Sequence, residues 1–177
     1  MKSFENKVAA ITGAGSGIGR ALALGLARQG CHVALSDVNS AGLKETAELV
    51  RKLGVKASEA LVNVADRDAV QAWADQVMAE YGQVNAIFNN AGVAQGGTVE
   101  GNDYADYEWV MSINFWGVVN GTKAFLPYLK STGEGHIVNT SIIFGLFAQP
   151  GMSAYNASKL AVRGFTESLR RGLDRAA

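Results

Sequence analysis

The chain is poor in the residues that build disulfides and metal centres. Its 177 residues include one cysteine, Cys31, and two histidines, His32 and His136. A single cysteine cannot form an internal disulfide, and one thiol with two imidazoles makes no Cys/His metal constellation. We therefore expect Cys31 to be a small apolar residue at a strand edge, and we expect no metal.

The chain also lacks an excess of charge and a long apolar run. Sixteen basic and sixteen acidic residues cancel, and no basic run alternates with aromatic residues, which argues against a nucleic acid or an anionic membrane as partner. No apolar stretch approaches the roughly 20 residues that span a membrane. The polar residues 1–7 lead directly into an apolar run, so we expect a cytoplasmic protein.

What the chain does contain is a regular alternation of short β-branched runs and longer helical patterns, typical of βαβ units around a parallel sheet. Strands are predicted near residues 8–12, 32–36, 56–62, 84–88 and 136–140. Helices are predicted near residues 17–29, 40–53, 67–81 and 104–130, with a last one from about Ser153. No linker or repeat interrupts the pattern, so residues 1–177 are predicted to form a single domain.

A glycine-rich segment, Thr12 to Gly19, follows the apolar run Val8–Ile11 and precedes a helical pattern. A turn of this kind aims backbone N–H groups and a helix N-terminus at an anion, here most simply the pyrophosphate of a dinucleotide. The spacing is T-G-x-x-x-G-x-G, because Ile18 stands where the G-x-G-x-x-G pattern needs its third glycine.

Tyr155 and Lys159 are four residues apart, so on a helix they share one face. A cation beside a phenol favours the phenolate, and the pair is therefore predicted to act as an acid/base device. The alternative is an ordinary aromatic and lysine pair on a solvated helix face.

With these motifs the chain resembles the short-chain dehydrogenase/reductase family. Two further family landmarks follow in order: Asn89-Asn90-Ala91-Gly92 after the fourth strand, and Ile113-Asn114 in a later helix. The resemblance covers essentially the whole chain. It implies an α/β fold with a Rossmann-type doubly wound parallel sheet of five strands in the order 3-2-1-4-5, with the ligand crevice at the carboxyl ends of strands one and four. It also implies hydride transfer between a nicotinamide cofactor and a secondary alcohol or ketone.

The end of strand two favours NAD as the cofactor. Asp37 follows the glycine turn by about twenty residues, where a carboxylate can accept hydrogen bonds from ribose hydroxyls and would repel a 2′-phosphate. NADP is the alternative, and so is a solvated strand end without function. Asn63 and Val64 resemble the family's adenine contact, although the family more often has Asp at the first position. The residues that the resemblance assigns to cofactor binding are Gly13, Ser16, Gly17, Ile18, Gly19, Asp37, Asn63, Val64, Asn90, Ala91, Gly92, Tyr155 and Lys159.

The resemblance also implies catalytic roles. Tyr155 would exchange the proton, Lys159 would lower the pKa of Tyr155 and hold the nicotinamide ribose, and Asn114 would help to hold a water for proton relay. For Asn114 the alternative is a hydrogen-bonded core amide. The family's catalytic serine belongs to an N-x-S-S-x-x-G segment, which is Asn139–Gly145 here, and its position is occupied by Ile142. Ser141 could replace it only after a backbone shift, because neighbouring side chains leave a strand on opposite faces.

The sequence stops at Ala177, whereas family members continue with further strands and a helix over the substrate. We therefore expect strand five to form an open sheet edge, with weakened stability and an incomplete substrate pocket. Three hypotheses follow: an NAD(H)-dependent oxidoreductase with impaired activity, a dinucleotide-binding relative with little catalysis, or a truncated scaffold that self-associates. The resemblance further implies a homo-oligomer formed through helices 104–130 and 153–172.

Overall fold

The computed structural model describes residues 3–174 as five strands that alternate with helices. The strands are β1 Val8–Thr12, β2 His32–Asp37, β3 Ala57–Leu61, β4 Ala86–Asn89 and β5 His136–Asn139. The helices are α1 Gly17–Ala27, α2 Ser40–Arg51, α3 Arg67–Tyr81, α4 Tyr104–Met111, α5 Gly117–Ser131 and α6 Ser153–Asp174. Residues 1, 2 and 175–177, which the sequence assigns to the same domain, lie outside the described residues.

The strands form one parallel sheet in the order β3-β2-β1-β4-β5, which confirms the predicted doubly wound fold. Ala10 at the centre of β1 pairs with Ala34 of β2 and Ile87 of β4. The order reverses between β1 and β4, so the crevice at their carboxyl ends is the expected ligand site. β5 pairs with β4 on one side and forms the sheet edge, where Val138 is 42% exposed.

Two apolar clusters cover the two faces of the sheet. Alternate residues of β1 point to opposite faces: Ala10 packs towards α3 and α5, and Ile11 packs towards α1 and α2. Trp73 of α3 and Phe125 of α5 fill the first cluster, with ring centroids 5.0 Å apart. Cys31 is fully buried in the second cluster. Burial on both faces explains why the central strands are continuous apolar runs.

The long helix predicted over 104–130 is interrupted. A π-helical turn, Ser112–Trp116, joins α4 to α5, with the Gly117 N–H donating to the Ser112 carbonyl oxygen. A π turn inserts a residue into the helix and changes which side chains face inward. Asn114, inside this turn, is completely buried. Among the described helices, none is both long and apolar enough to cross a membrane; the cytoplasmic location stays a prediction.

Candidate active site

A tight glycine turn joins β1 to α1. Gly13 and Gly17 have φ angles of 65° and 52°, which strain any residue with a side chain. A Cβ atom on Gly13 would lie 2.8 Å from the Cα atom of Ala91, and one on Gly19 would overlap the carbonyl oxygen of Gly13. Ser16 precedes the helix but its side chain makes no capping hydrogen bond. The first N–H groups of α1 are therefore left to bind an anion such as a pyrophosphate.

Thr12 ties this turn to the segment after β4. Its hydroxyl accepts hydrogen bonds from the N–H groups of Asn90 and Ala91, both at 3.0 Å. The Asn90 side-chain amide donates in return to the carbonyl oxygens of Thr12 and Gly13, at 3.1 and 3.3 Å. The glycine turn and the segment after β4 are therefore joined by hydrogen bonds into one surface of the site. Thr12 was not among the predicted site residues, although its place directly before the first glycine is a usable signal.

Asp37 closes β2 beside the turn. Its Oδ2 atom accepts a hydrogen bond from the Gly15 N–H at 2.8 Å, and its Oδ1 atom accepts one from the Asn39 N–H at 2.9 Å. A carboxylate has further lone pairs, so ribose hydroxyls can still donate to it, whereas a 2′-phosphate would meet a like charge. The nearby Arg20 guanidinium donates to the Gly15 carbonyl oxygen at 2.7 Å and is paired with Glu45 at 2.7 Å. Arg20 therefore stabilises the turn, and its positive charge is balanced by Glu45.

The segment after β3 forms the far end of the site. The Asn63 side-chain oxygen accepts the Ala65 N–H at 3.1 Å, which leaves the NH₂ group of Asn63 to face a ligand. The Val64 carbonyl oxygen accepts a hydrogen bond from the Asn120 amide at 2.9 Å, and a Cβ on Gly117 would lie 2.7 Å from a Val64 methyl group. Asn120 thus positions Val64, and the sequence prediction missed it. A polar residue on the otherwise apolar, buried face of α5 could have indicated this role.

Tyr155 and Lys159 lie one turn apart on α6. The Lys159 Nζ atom is 5.5 Å from the centroid of the Tyr155 ring and donates to the carbonyl oxygen of Thr140 at 3.0 Å. Phe144 packs edge-on against the Tyr155 ring, with centroids 5.9 Å apart. A Cβ on Gly92 would lie 3.5 Å from Nζ. The ammonium is therefore held beside the phenol, between the ends of β4 and β5.

Burial moves the pKa of each of these two groups towards its neutral form. It raises the pKa of the Tyr155 phenol and lowers the pKa of the Lys159 ammonium, a residue that is 3% exposed. Burial is thus the cause of the raised pKa of Tyr155; that Lys159 lowers this pKa stays a prediction. At neutral pH the phenol is protonated and can donate a proton.

Asn114 is hydrogen-bonded through both ends of its amide. Its side-chain oxygen accepts the Val93 N–H at 2.8 Å, and its NH₂ group donates to the Val93 carbonyl oxygen at 2.9 Å and to the Ser158 hydroxyl at 3.0 Å. The Ser158 hydroxyl donates to the Tyr155 carbonyl oxygen at 2.7 Å. Asn114 thus connects the segment after β4 to the helix that carries Tyr155. Its part in a proton relay stays a prediction.

Ile142 borders the site and is 40% exposed. Its φ and ψ angles are 51° and −175°, a region that is occupied almost only by glycine. The hydroxyl of the neighbouring Ser141 donates to the main-chain carbonyl oxygen of Lys159 at 2.9 Å. Ser141 is therefore turned towards α6, and neither residue of the pair offers a hydroxyl to a ligand.

These elements enclose one cavity of about 430 Å³. Predicted site residues that line it are Gly13, Ser16, Gly17, Ile18, Asp37, Asn63, Val64, Asn90, Ala91, Gly92, Ile142, Tyr155 and Lys159. Gly19 and Asn114 are placed behind this lining, where they pack against Gly13 and Val93. Within residues 3–174, no group of three or more His, Cys, Asp or Glu side chains is arranged to hold a metal ion.

Comparison with known proteins matches residues 7–176 to the family described as short chain dehydrogenase. A putative oxidoreductase SadH from Mycobacterium tuberculosis is 56% identical over 171 residues, covering 97% of this chain and 62% of that protein. A short chain dehydrogenase/reductase from Burkholderia phymatum, solved in complex with NAD, is 40% identical with a TM-score of 0.97 and covers 100% of this chain. An NAD⁺-bound xylitol dehydrogenase is 35% identical with a TM-score of 0.95, covering 98% of this chain and 67% of that one. The chain therefore spans only 62% and 63% of the first two proteins.

Proposed function

The chain belongs to the short-chain dehydrogenase family, and we propose that it is an NAD-dependent oxidoreductase that interconverts a secondary alcohol and a ketone. One observation carries the proposal: a single cavity is lined at one end by the glycine turn and Asp37 and at the other by Tyr155 and Lys159. An extended dinucleotide placed along it would bring its reactive ring to the phenol. Both relatives solved with NAD support the same cofactor.

The residues present fit such a cofactor. The uncapped N-terminus of α1 and the closely packed glycines receive the pyrophosphate. Asp37 receives the adenosine ribose hydroxyls and disfavours the 2′-phosphate of NADP. Lys159, with one N–H given to Thr140, has two left for the hydroxyls of the second ribose. When bound, NADH supplies the hydride that the protein itself cannot.

Tyr155 supplies the proton. As a hydride arrives at the carbonyl carbon, the carbonyl oxygen gains negative charge and takes the phenolic proton, so that the ketone becomes a secondary alcohol. The raised pKa of Tyr155 keeps the phenol protonated at neutral pH, as this direction requires. The oxidation direction needs the phenolate, so it requires a more alkaline solution.

Ile142 favours slow turnover and supports a second candidate function. A hydroxyl donor at that position would steady the charge on the substrate oxygen, and removal of one such donor costs on the order of 10²–10³ in rate in measured enzymes. The second candidate is a dinucleotide-binding protein with little catalysis. The two candidates differ in turnover and agree on NADH binding.

We further propose that the chain self-associates. Trp109 and Trp116 lie seven residues apart along α4 and the π turn and are 45% and 54% exposed, and Leu160 on α6 is 43% exposed. Exposed large apolar side chains of this kind are ones that association would cover. Light scattering on a sizing column should give a mass above that of one chain, and Trp116→Ser should lower it. A monomer at every concentration would contradict the proposal.

The first experiment is a fluorescence titration of the chain with NADH, run beside NADPH. We expect saturable binding with NADH preferred, followed by slow ketone reduction that Ile142→Ser accelerates. Binding with no turnover in either protein would favour the second candidate function. Absence of binding to both cofactors would overturn the enzyme proposal in favour of a self-associating scaffold.

A further inference from the structure

We propose that the hydroxyl of Thr140 is the hydrogen-bond donor to the reacting oxygen of a neutral ketone. It takes the place of the hydroxyl that isoleucine at position 142 lacks. The proposal rests on the oxidoreductase function proposed above. It assigns Thr140 as a catalytic residue beside Tyr155, and it explains how a chain with isoleucine at position 142 can still polarise a carbonyl group.

The backbone places Thr140 on the required side. Its N–H donates to the Asn89 carbonyl oxygen at 3.1 Å, so the extended pairing of β5 with β4 continues through this residue. The Asn139 side chain accepts from Asn89 at 2.8 Å and donates to Thr166 at 2.9 Å, and so faces the helices. Because side chains alternate along a strand, that of Thr140 faces the other way. Thr140 indeed lines the cavity together with Ile142, Tyr155 and Lys159.

The position of Thr140 is held from two sides. Its carbonyl oxygen accepts from Lys159 Nζ at 3.0 Å, and the next residue, Ser141, donates to the Lys159 carbonyl oxygen at 2.9 Å. Two hydrogen bonds from consecutive residues to the same lysine fix the register of this segment against α6. A donor on so constrained a backbone is preorganised for a charge that develops in the reaction.

The Thr140 hydroxyl is also uncommitted. Within residues 3–174 its hydroxyl makes no hydrogen bond, whereas the Ser141 and Ser158 hydroxyls both donate to main-chain carbonyl oxygens. The polar side chains at this end of the cavity are thus Thr140, Tyr155 and Lys159. A hydroxyl at the wall of a cavity can donate without giving up an existing bond.

The bulk of Ile142 defines the substrate position. Its branched side chain lines one side of the cavity, so a carbonyl group has to bind closer to Thr140, two residues earlier in the chain. No carboxylate lines this end of the cavity in the described part of the chain. The substrate class that fits is a neutral ketone whose oxygen lies between the hydroxyls of Thr140 and Tyr155.

The test is a double-mutant cycle with NADH and acetophenone as the probe. Thr140→Val keeps the shape of the side chain and removes the donor. We expect it to lower kcat about tenfold or more in the Ile142 chain and less than about threefold in the Ile142→Ser chain, where the new serine takes over. Thr132→Val is the matched control, because that hydroxyl donates to the Leu129 carbonyl oxygen and accepts from the Glu134 N–H at the end of α5, outside the cavity lining, and it should change kcat in neither protein.

A second readout does not depend on turnover. The infrared carbonyl band of ¹³C-labelled acetophenone bound to the NAD⁺ complex should move to higher wavenumber in Thr140→Val and not in Thr132→Val. An equal loss of kcat in both backgrounds, or an unchanged carbonyl band, would overturn the role of Thr140. NADH binding without turnover in any variant would overturn the oxidoreductase function, while the band shift would still decide whether Thr140 donates.

Discussion

The hydroxyl of Ser141 donates a hydrogen bond to the main-chain carbonyl oxygen of Lys159 across 2.9 Å. Gly145 closes over this bond, because a Cβ atom there would overlap the Ser141 hydroxyl. The link joins the end of β5 to the helix that carries the acid/base pair. Ser141 is therefore a structural residue, although it is next to the position where the family places its catalytic serine.

Removal of the Ser141 hydroxyl should affect stability and not chemistry. We expect Ser141→Ala to lower the free energy of unfolding by about 1 kcal/mol, because one partly buried hydrogen bond is lost. In the Ile142→Ser background, kcat should change less than about threefold. Urea unfolding and steady-state kinetics check both values, with Ser131→Ala as the control for an exposed hydroxyl that bonds a helix carbonyl oxygen. A hundredfold fall in kcat would show that Ser141 reaches the substrate.

Glycine at position 142 should relieve backbone strain. The angles of Ile142 cost about 1–3 kcal/mol for a side-chain-bearing residue, and the extra freedom of glycine in the unfolded chain costs about 1 kcal/mol. We expect Ile142→Gly to be as stable as the parent chain or about 1 kcal/mol more stable. Ile143→Gly, at an exposed neighbour in the short 3₁₀ turn Ile143–Gly145, should instead lose about 1 kcal/mol, because glycine has more freedom in the unfolded chain. Equal losses in both would show that position 142 is unstrained.

Neutralisation of Asp37 should reduce the preference for NADH. Asp37→Asn keeps an oxygen for the Gly15 N–H and removes the charge that repels a 2′-phosphate, so the ratio of NADPH to NADH dissociation constants should fall about tenfold. Glu48→Gln makes the same charge change at an exposed position of α2 and should leave the ratio within about twofold. An unchanged ratio in Asp37→Asn would mean that this carboxylate does not face the ribose.

Two glycines of α1 should respond oppositely to alanine. A methyl group on Gly19 would overlap the Gly13 carbonyl oxygen, while one on Gly25 would meet nothing within 4 Å. We expect Gly19→Ala to abolish NADH binding and Gly25→Ala to raise the free energy of unfolding by about 1 kcal/mol through helix propensity. Cofactor titration and urea unfolding on both variants check this. Unchanged binding in Gly19→Ala would show that the turn can relax.

Cys31 should make the fold sensitive to alkaline pH. Burial raises the pKa of its thiol from 9.0 to about 12, so the folded chain keeps a proton that the unfolded chain releases. The contribution of Cys31 to stability is complete below pH 9 and is lost as pH rises towards 12. Urea unfolding at a series of pH values between 9 and 12 checks this. The free energy of unfolding should fall more steeply in the parent than in Cys31→Ala, by about 1.4 kcal/mol per pH unit. Parallel curves would contradict the buried thiol.

The glycine turn, the strand order and the position of Asp37 were predictable because each depends on local composition or on the handedness of βαβ crossovers. The π turn at Ser112–Trp116 was not, since one inserted residue barely disturbs an apolar pattern. The partners of Asn114, which are Val93 and Ser158, lie 21 and 44 residues away in sequence. No local pattern identifies contacts at such separations.

The electrostatics of Tyr155 and Lys159 show a second limit. Their spacing on one helix face was correctly predicted, but spacing alone does not reveal that burial raises the phenol pKa. Burial decides the direction of the pKa shift of Tyr155. That burial depends on β4, β5 and Phe144, which pack around the pair. Position 142 was predictable in part. The sequence reveals the isoleucine, whereas the strained backbone of Ile142 is visible only in the structure.

Because Cys31 is buried, the labelling rate of the chain's single thiol reports how often this part of the fold opens spontaneously. The side chain has no exposed surface and its pKa is about 12, so a thiol-reactive dye at neutral pH cannot label the closed fold. Labelling has to wait until β2 separates from α1, and with excess dye its rate becomes the rate of that separation. Added NADH would slow the labelling if the cofactor holds these elements together, which reports occupancy of the site without any substrate.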